Sequence, residues 1–196
     1  MKKKYELIPS DKKGLFRVKA LRDFRYVKKG DVGGYVENEN NLSHEGDAWV
    51  SGNARVYGNA RVYGDAQVSG NAQVSGNARV SGNAQVSGNA RVSGNAQVSG
   101  NAWVYGNAWV SGNAWVYGNA WVCGDAIVQS NRDYIVFKNW WSSGRYFTWT
   151  RSNNKWKVGC FYGTGQQLIE KAYSDSETSG REYERIVKYV ESVINS

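Results

Sequence analysis

A six-residue repeat fills the middle of the chain and constrains its fold more than any other feature. Valine recurs every six residues from Val50 to Val128, and alanine recurs in step from Ala48 to Ala126, fourteen times each with no insertion or deletion. The unit reads Ala-x-Val-(Ser/Tyr)-Gly-(Asn/Asp). Alanine and valine alternate with outward residues, so both apolar side chains share one face of a short strand. The Gly-Asn or Gly-Asp pair tolerates the positive φ of a tight corner.

Units that all run in the same sense predict a coil and not a stack of hairpins. Three units close a triangular coil of 18 residues, so fourteen units make between four and five coils. At about 4.8 Å for each stacked strand, the rod is roughly 22 Å long. The sequence therefore predicts an all-β solenoid of about five triangular coils over residues 46–128, with a core of stacked Val and Ala and with ladders of Asn at the corners.

This repeat resembles that of the hexapeptide-repeat left-handed β-helix proteins. The interior aliphatic residue of that family matches the valine series, and its small residue matches the alanine series. The resemblance implies a left-handed parallel β-helix, a known exception to the usual right-handed crossover. The periodicity alone does not give the handedness, and a right-handed β-helix, as in bactofilin-like filaments, is the alternative.

The two flanks differ from the repeat in composition. Residues 1–45 carry eleven Lys/Arg against seven Asp/Glu and predict a basic N-terminal β cap, with strands at 5–8 and 16–20 and a degenerate start of the coil at 30–36. Residues 129–196 predict a C-terminal α+β module of β3α2 type. Its expected strands lie at 134–137, 145–149 and 156–161. Capping boxes at Thr164–Gln167 and Ser179–Glu182 predict the starts of two helices.

Several flanking segments sharpen the resemblance. Residues 28–35 (Lys-Lys-Gly-Asp-Val-Gly-Gly-Tyr), 41–43 (Asn-Leu-Ser) and 159–164 (Gly-Cys-Phe-Tyr-Gly-Thr) accompany near-perfect Gly-Asn-Ala units. Together they are similar to a group of small hexapeptide-repeat proteins encoded by bacteriophages and prophages, over nearly the whole chain. That resemblance implies a role directed at the host, such as action on an anti-phage defence component, by analogy alone.

Few residues offer catalytic chemistry. The single histidine, His44, precedes the first full unit, so a zinc site of three histidines is excluded and a structural role is expected. Acyltransferases of this fold use a histidine as general base, and this activity is retained as the third hypothesis. Cys123 takes an outward position and Cys160 is expected in a strand core. Neither has a histidine near it in sequence, so we expect inert thiols and no metal or cofactor.

The outward position between alanine and valine carries an aromatic belt near the end of the repeat. It holds Trp49 in the first unit, Arg or Gln in the next eight, and tryptophan in the four that follow. Residues 18 apart share a face, so Trp103 and Trp121 stack on one face, whereas Trp109 and Trp115 each lie on another. Exposed aromatic surface usually marks an interface. The predicted interface belt consists of Trp103, Tyr105, Trp109, Trp115, Tyr117 and Trp121.

Four arginines form a second candidate surface on the same outward position. Arg55 and Arg91 share one face, and Arg61 and Arg79 share another. The repeat contains these four arginines and three aspartates, so its net charge is +1. Most of the net charge of +8 of the chain lies in the two flanks. No dense basic stripe tracks a phosphate backbone. Arginine with tryptophan can still bind a nucleotide, and Trp/Tyr rows also suit sugar rings.

The favoured hypothesis is a non-enzymatic, phage-type interaction protein that binds and inhibits or recruits a host component. The belt is expected to cover part of an interface and to mediate self-association as a trimer or dimer, since proteins of the resembling fold are commonly trimers. A nucleotide- or nucleic-acid-binding, sequestering protein is the alternative. The N-terminus has no apolar run. We therefore expect no signal peptide, no membrane association, and a cytoplasmic location in the host cell.

Overall fold

The N-terminal cap is an antiparallel β-meander that leads into the solenoid. The computed structural model describes residues 3–194 and begins with β1 (Tyr5–Pro9), β2 (Phe16–Ala20) and β3 (Val32–Val36), followed by a 3-10 turn at Glu39–Asn41. Strand β1 pairs with β2 and β2 with β3 in antiparallel register. Strand β3 then pairs in parallel with the first coil, so the cap covers an edge that would otherwise be open.

Each six-residue unit forms one two-residue strand. Alanine and valine point inward and are fully or almost fully buried in every unit, which gives the predicted dry stack. The strands are β4 (Trp49–Val50), β5 (Arg55–Val56), β6 (Arg61–Val62), β7 (Gln67–Val68), β8 (Gln73–Val74), β9 (Arg79–Val80), β10 (Gln85–Val86), β11 (Arg91–Val92), β12 (Gln97–Val98), β13 (Trp103–Val104), β14 (Trp109–Val110), β15 (Trp115–Val116), β16 (Trp121–Val122) and β17 (Ile127–Val128).

The strands stack into three parallel sheets, one for each side of a triangular coil. Face I holds β3, β5, β8, β11, β14 and β17; face II holds β6, β9, β12 and β15; face III holds β4, β7, β10, β13 and β16. Partners lie 18 residues apart, as Val86 and Val104 do. Corner asparagines form the expected ladders, for example Asn77 to Asn95 at 3.0 Å. The predicted solenoid of about five coils is confirmed.

The C-terminal module contains four strands, so the predicted three-strand count is wrong. Its strands are β18 (Tyr134–Lys138), β19 (Tyr146–Thr150), β20 (Lys155–Val158) and β21 (Phe161–Gly163), all antiparallel neighbours in that order. The segment expected as one strand folds into two because Gly159 adopts φ +55° and turns the chain. Cys160 therefore lies exposed in a turn and not in a core, which corrects that prediction.

Two helices complete this module. Helix α1 (Gly165–Asp175) begins with the predicted capping box, in which Thr164 and Gln167 each accept the other's backbone N–H. The second predicted box is wrong, because α2 (Glu177–Ile194) begins earlier and the Ser176 hydroxyl accepts the N–H of Ser179 at 3.1 Å. The apolar side chains of α2 that lie fully or partly buried in the core of the module are Tyr183, Ile186, Val187, Val190 and Ile194, whereas Val193 is exposed.

Candidate interaction surfaces

The C-terminal module packs on Trp121, the last belt residue of face III. Trp103 and Trp121 stack there with ring centroids 4.9 Å apart and planes 8° from parallel. The backbone N–H of Trp121 donates to Thr148 Oγ1 at 3.0 Å, and Lys157 Nζ lies 5.1 Å from the Trp121 ring. Trp121 is therefore half-buried against the module, and Trp103 is its partly exposed neighbour.

Tyr105 also lies on this covered side. Burial raises the pKa of its hydroxyl well above the ordinary value, and the hydroxyl shares a hydrogen bond with the Cys123 side chain. Burial likewise raises the pKa of the Cys123 thiol, which is buried although its repeat position points outward. A thiol held protonated is a poor nucleophile, in keeping with the inert role expected for it.

Faces I and II present the exposed part of the belt. Trp109 on face I is 41% exposed, and Trp115 and Tyr117 on face II are 47% and 50% exposed. The Trp115 and Tyr117 rings lie 5.2 Å apart, and Ile127 is the exposed strand neighbour of Trp109. We call Trp109, Trp115, Tyr117 and Ile127 the aromatic surface. Ile127, which the belt prediction left out, has the same outward slot as the tryptophans.

Two serines hold the exposed indoles against the rod. Trp109 Nε1 donates to Ser93 Oγ at 3.1 Å, and Trp115 Nε1 donates to Ser99 Oγ at 3.1 Å. Each indole thus reaches back over the preceding coil and has its polar atom satisfied within the chain. The surface left to solvent is apolar, so a partner can cover it without leaving a buried N–H unpaired. Serine in the Ser/Tyr slot of the preceding coil, at Ser93 and Ser99, is the sequence signal for this arrangement.

The arginines lie on the faces that the repeat predicts. Arg55 and Arg91 are exposed on face I with Gln73 between them, whereas Arg61 and Arg79 are direct register partners on face II. None of the four forms an ion pair with another of the described residues. A cleft of about 460 Å³ lies beside Arg61 and Arg79 at the N-terminal end of face II.

His44 packs against the N-terminal cap. Its ring stacks on Tyr5 with centroids 4.1 Å apart, and Nδ1 accepts the backbone N–H of Lys4 at 3.3 Å. Burial lowers the pKa of the imidazole, which favours the neutral form. A neutral ring that accepts at Nδ1 carries its proton on Nε2, and this nitrogen is buried with no hydrogen-bond partner. These contacts support the structural role expected for His44.

Comparison with known proteins supports the fold class of this chain and no finer classification. A family model described as the YdcK beta solenoid repeat matches residues 48–64, 54–70, 72–84, 84–100, 96–112 and 108–124. Those matches lie inside the solenoid and leave both flanking modules unmatched. No curated protein matches the chain. The chain is thus a repeat β-solenoid protein.

Two kinds of feature are absent from residues 3–194. No group of three or more His, Cys, Asp or Glu residues in this range is placed to hold a metal ion. No helix there is long and apolar enough to cross a membrane.

Proposed function

We propose that this chain is a non-enzymatic interaction protein of the hexapeptide-repeat type and that the aromatic surface is its assembly site. The observation that carries the proposal is the pair of indoles, Trp109 and Trp115, that are exposed although their N–H groups are already bonded within the chain. Tryptophan is the side chain most enriched at the energetic centres of protein interfaces.

Rigidity adds to this argument. A binding surface gains affinity when its side chains are ordered before the partner arrives, because less conformational entropy is lost on binding. The serine bonds hold both indoles in place, and Tyr117 packs beside Trp115 on the same face. The parallel sheets beneath them are part of a repeat whose inward residues are fully buried.

The first partner of this surface is a second copy of the chain. Faces I and II adjoin at one edge of the rod, and each carries an apolar patch that repeats the same Trp-on-Ser arrangement. Side-by-side packing of two or three rods would bury both patches in a closed, symmetric assembly. The resemblance to hexapeptide-repeat proteins supports the same arrangement.

The target of the assembly is proposed to be a protein of a bacterial host. The support for this step is the resemblance of residues 28–35, 41–43 and 159–164 to phage-encoded proteins. The outward Arg and Gln positions of the middle coils and the C-terminal module are the surfaces that remain free for the target once the aromatic surface is covered.

Light scattering after size-exclusion chromatography tests the assembly site. Trp109→Ala with Trp115→Ala should lower the molar mass from that of an oligomer to that of a monomer of 21.8 kDa, while circular dichroism stays unchanged. Gln73→Ala with Gln97→Ala is the matched control, because these residues occupy the same columns in earlier coils. A monomeric parent protein, or a double variant that keeps the parent's mass, contradicts the proposal.

The target is tested by photocrosslinking in a bacterial host. A photoreactive residue at Arg91 or at Gln97 should capture a host protein, whereas one at Trp115 should capture a second copy of the chain. The captured protein must then bind the purified parent protein in titration, and it must still bind the double tryptophan variant if target and assembly surfaces are separate. Capture of the same host protein from Trp115 would contradict that division of surfaces.

A further inference from the structure

The N-terminal end of face II holds a second site, separate from the aromatic surface. It is a cleft of about 460 Å³ between the first coils and the loop that follows the 3-10 turn. The loop leaves the column of face II at Leu42, which bridges to Val62. The side chains that matter to its chemistry are those of Ser43, His44, Arg61, Tyr63 and Arg79, with Glu39 at the rim.

Two adjacent arginines are the unusual feature of this cleft. Arg61 and Arg79 are register partners on neighbouring parallel strands, which lie about 4.8 Å apart. Like charges in such a position repel and are destabilising. On face I a glutamine separates Arg55 from Arg91, and the polar positions of face III hold glutamine. Within the solenoid, residues 49–128, arginine follows arginine in a column at this one place.

Neither guanidinium is neutralised within the described chain. Arg61 and Arg79 form no ion pair or side-chain hydrogen bond with any residue from 3 to 194, and both are exposed. Arg55 and Arg91 share this lack of partners, whereas the Arg17 side chain donates to the Gly33 carbonyl at 2.6 and 2.9 Å and the Arg25 side chain donates to the Asp65 carbonyl at 2.9 Å. The donors of the Arg61–Arg79 pair are therefore free for an external acceptor.

The wall of the cleft adds two rings, the imidazole of His44 and the phenol of Tyr63. The Nε2 atom of His44 is buried and has no hydrogen-bond partner. Tyr63 is 40% exposed and offers an apolar ring face. The acidic residue at the rim, Glu39, is paired with Lys3 at 2.7 Å, so its charge is balanced and does not repel an anion strongly.

We propose that this cleft binds a phosphorylated small molecule that carries a ring, of the class of nucleoside diphosphates. Arg61 and Arg79 bind the phosphate oxygens, because two guanidinium forks match the several acceptor oxygens of a diphosphate. Tyr63 packs against the ring of the ligand. The repulsion between the arginines is relieved when the anion binds, and this relief adds to the binding free energy.

Calorimetric titration with ADP and with pyrophosphate tests the site. The parent protein should bind ADP more tightly than pyrophosphate, and Arg61→Gln with Arg79→Gln should weaken both at least 10-fold. Glutamine already fills the same outward slot in other units, so this variant should fold. The matched control, Arg55→Gln with Arg91→Gln, removes the same charge from face I and should bind both probes as the parent does.

Two further measurements separate a built site from general charge attraction. Tyr63→Ala should remove the preference for ADP over pyrophosphate, while pyrophosphate binding stays within about 3-fold of the parent. Without ligand, the Arg61/Arg79 double variant should melt at a higher temperature than the parent, and ADP should raise the melting temperature of the parent more than that of this variant. Absence of ADP binding to the parent, equal loss in both arginine variants, or equal binding of malonate and pyrophosphate would each overturn the proposal.

Discussion

Trp49 and Trp115 occupy the same position of the repeat and have opposite environments. Trp49, at the N-terminal end of face III, is 5% exposed and meets the Phe24 ring edge-on at 5.3 Å. Trp115, at the C-terminal end of face II, is 47% exposed and lies over a serine of the preceding coil. The position in the repeat therefore determines that a side chain points outward. Contact with a flanking module determines whether that side chain is buried.

The difference divides the rod into an end that is closed and an end that is partly open. The N-terminal cap packs so tightly on Trp49 that a Cβ added at Gly33 would lie 2.7 Å from the indole. The C-terminal module instead covers face III through Thr148 and Lys157, whereas on faces I and II it bonds to backbone atoms of Ile127 and Trp115 and leaves their side chains exposed. We infer that tryptophan stabilises the fold at the first end and serves binding at the second.

The largest expected effect comes from shortening each tryptophan in turn. Trp49→Ala removes a buried ring and leaves a cavity beneath Phe24, so it should lower the free energy of unfolding by about 3–5 kcal/mol. Trp115→Ala loses partly exposed contacts and one hydrogen bond, and should cost less than about 1.5 kcal/mol. Guanidinium denaturation at a concentration where the protein is monomeric measures both. Equal losses at the two sites would remove the distinction between the ends.

The next largest expected effect is a pH dependence of stability, and it comes from a buried lysine at the closed, N-terminal end of the rod. Lys4 is fully buried, and its ammonium donates to the carbonyls of Gly46 at 3.1 Å and Ala48 at 2.8 Å. Burial lowers the pKa of Lys4 to about 8. The Lys4 amine therefore binds its proton less tightly in the folded protein than in the unfolded chain. Above about pH 8 the folded protein loses this proton while the unfolded chain still keeps it. Lys4 should therefore add about 2 kcal/mol to the stability between pH 7.5 and 9.5, and the Cys123 thiol, whose raised pKa lowers stability as the unfolded thiol ionises, offsets part of this rise in the parent and in every Lys4 variant alike.

Lys4→Met is the control for this pH dependence. The variant keeps the long apolar stem and has no titrating group, so its free energy of unfolding should rise much less over the same range. Measurements should stop below pH 10, because burial raises the pKa of Tyr134 to about 12, and tyrosines that ionise more easily in the unfolded chain lower stability above that pH. A variant that follows the parent's slope would show that Lys4 is not the cause.

The structural features that depend on the repeat itself could be predicted from the sequence. The burial of Ala and Val, the stacking of Trp103 on Trp121 and the pairing of Arg61 with Arg79 all follow from the 18-residue period. The sequence could not predict the burial of Trp49, because Phe24 comes from an aperiodic loop 25 residues away.

Local ambiguity explains the remaining errors. Gly159–Cys160 fits a strand and a turn equally well in sequence, and the hydrogen bonds of the second helix start at Ser176 although Ser179 has the same capping chemistry. The cleft beside Arg61 is formed where the chain departs from the repeat at Leu42, so no periodic signal marks it.

Substitutions at two corner glycines allow a comparison of a middle coil with the last coil of the rod. Gly88 and Gly118 have nearly the same φ, +67° and +69°, so alanine is strained at both, at about 1 kcal/mol. A Cβ at Gly88 would lie 3.0 Å from the backbone N and O of Gly106, whereas a Cβ at Gly118 meets nothing within 4 Å. Gly88→Ala should therefore be the less stable variant by about 1 kcal/mol in guanidinium denaturation. Equal stabilities would show that the coils separate freely.

Substitutions in the asparagine ladder are expected to change stability least. They test the same contrast between the middle of the rod and its C-terminal end. Asn77 has two ladder partners, accepting from Asn59 at 3.2 Å and donating to Asn95 at 3.0 Å, while Asn113 ends the column and accepts from Asn95 alone at 3.1 Å. All are exposed, so each bond contributes about 0.5 kcal/mol. Asn77→Ala should cost about 1 kcal/mol and Asn113→Ala about half as much, provided both unfold with the parent's denaturant slope. A larger loss at Asn113 would mean that this corner of the open end makes contacts beyond the ladder, as it would if a second copy packed against it.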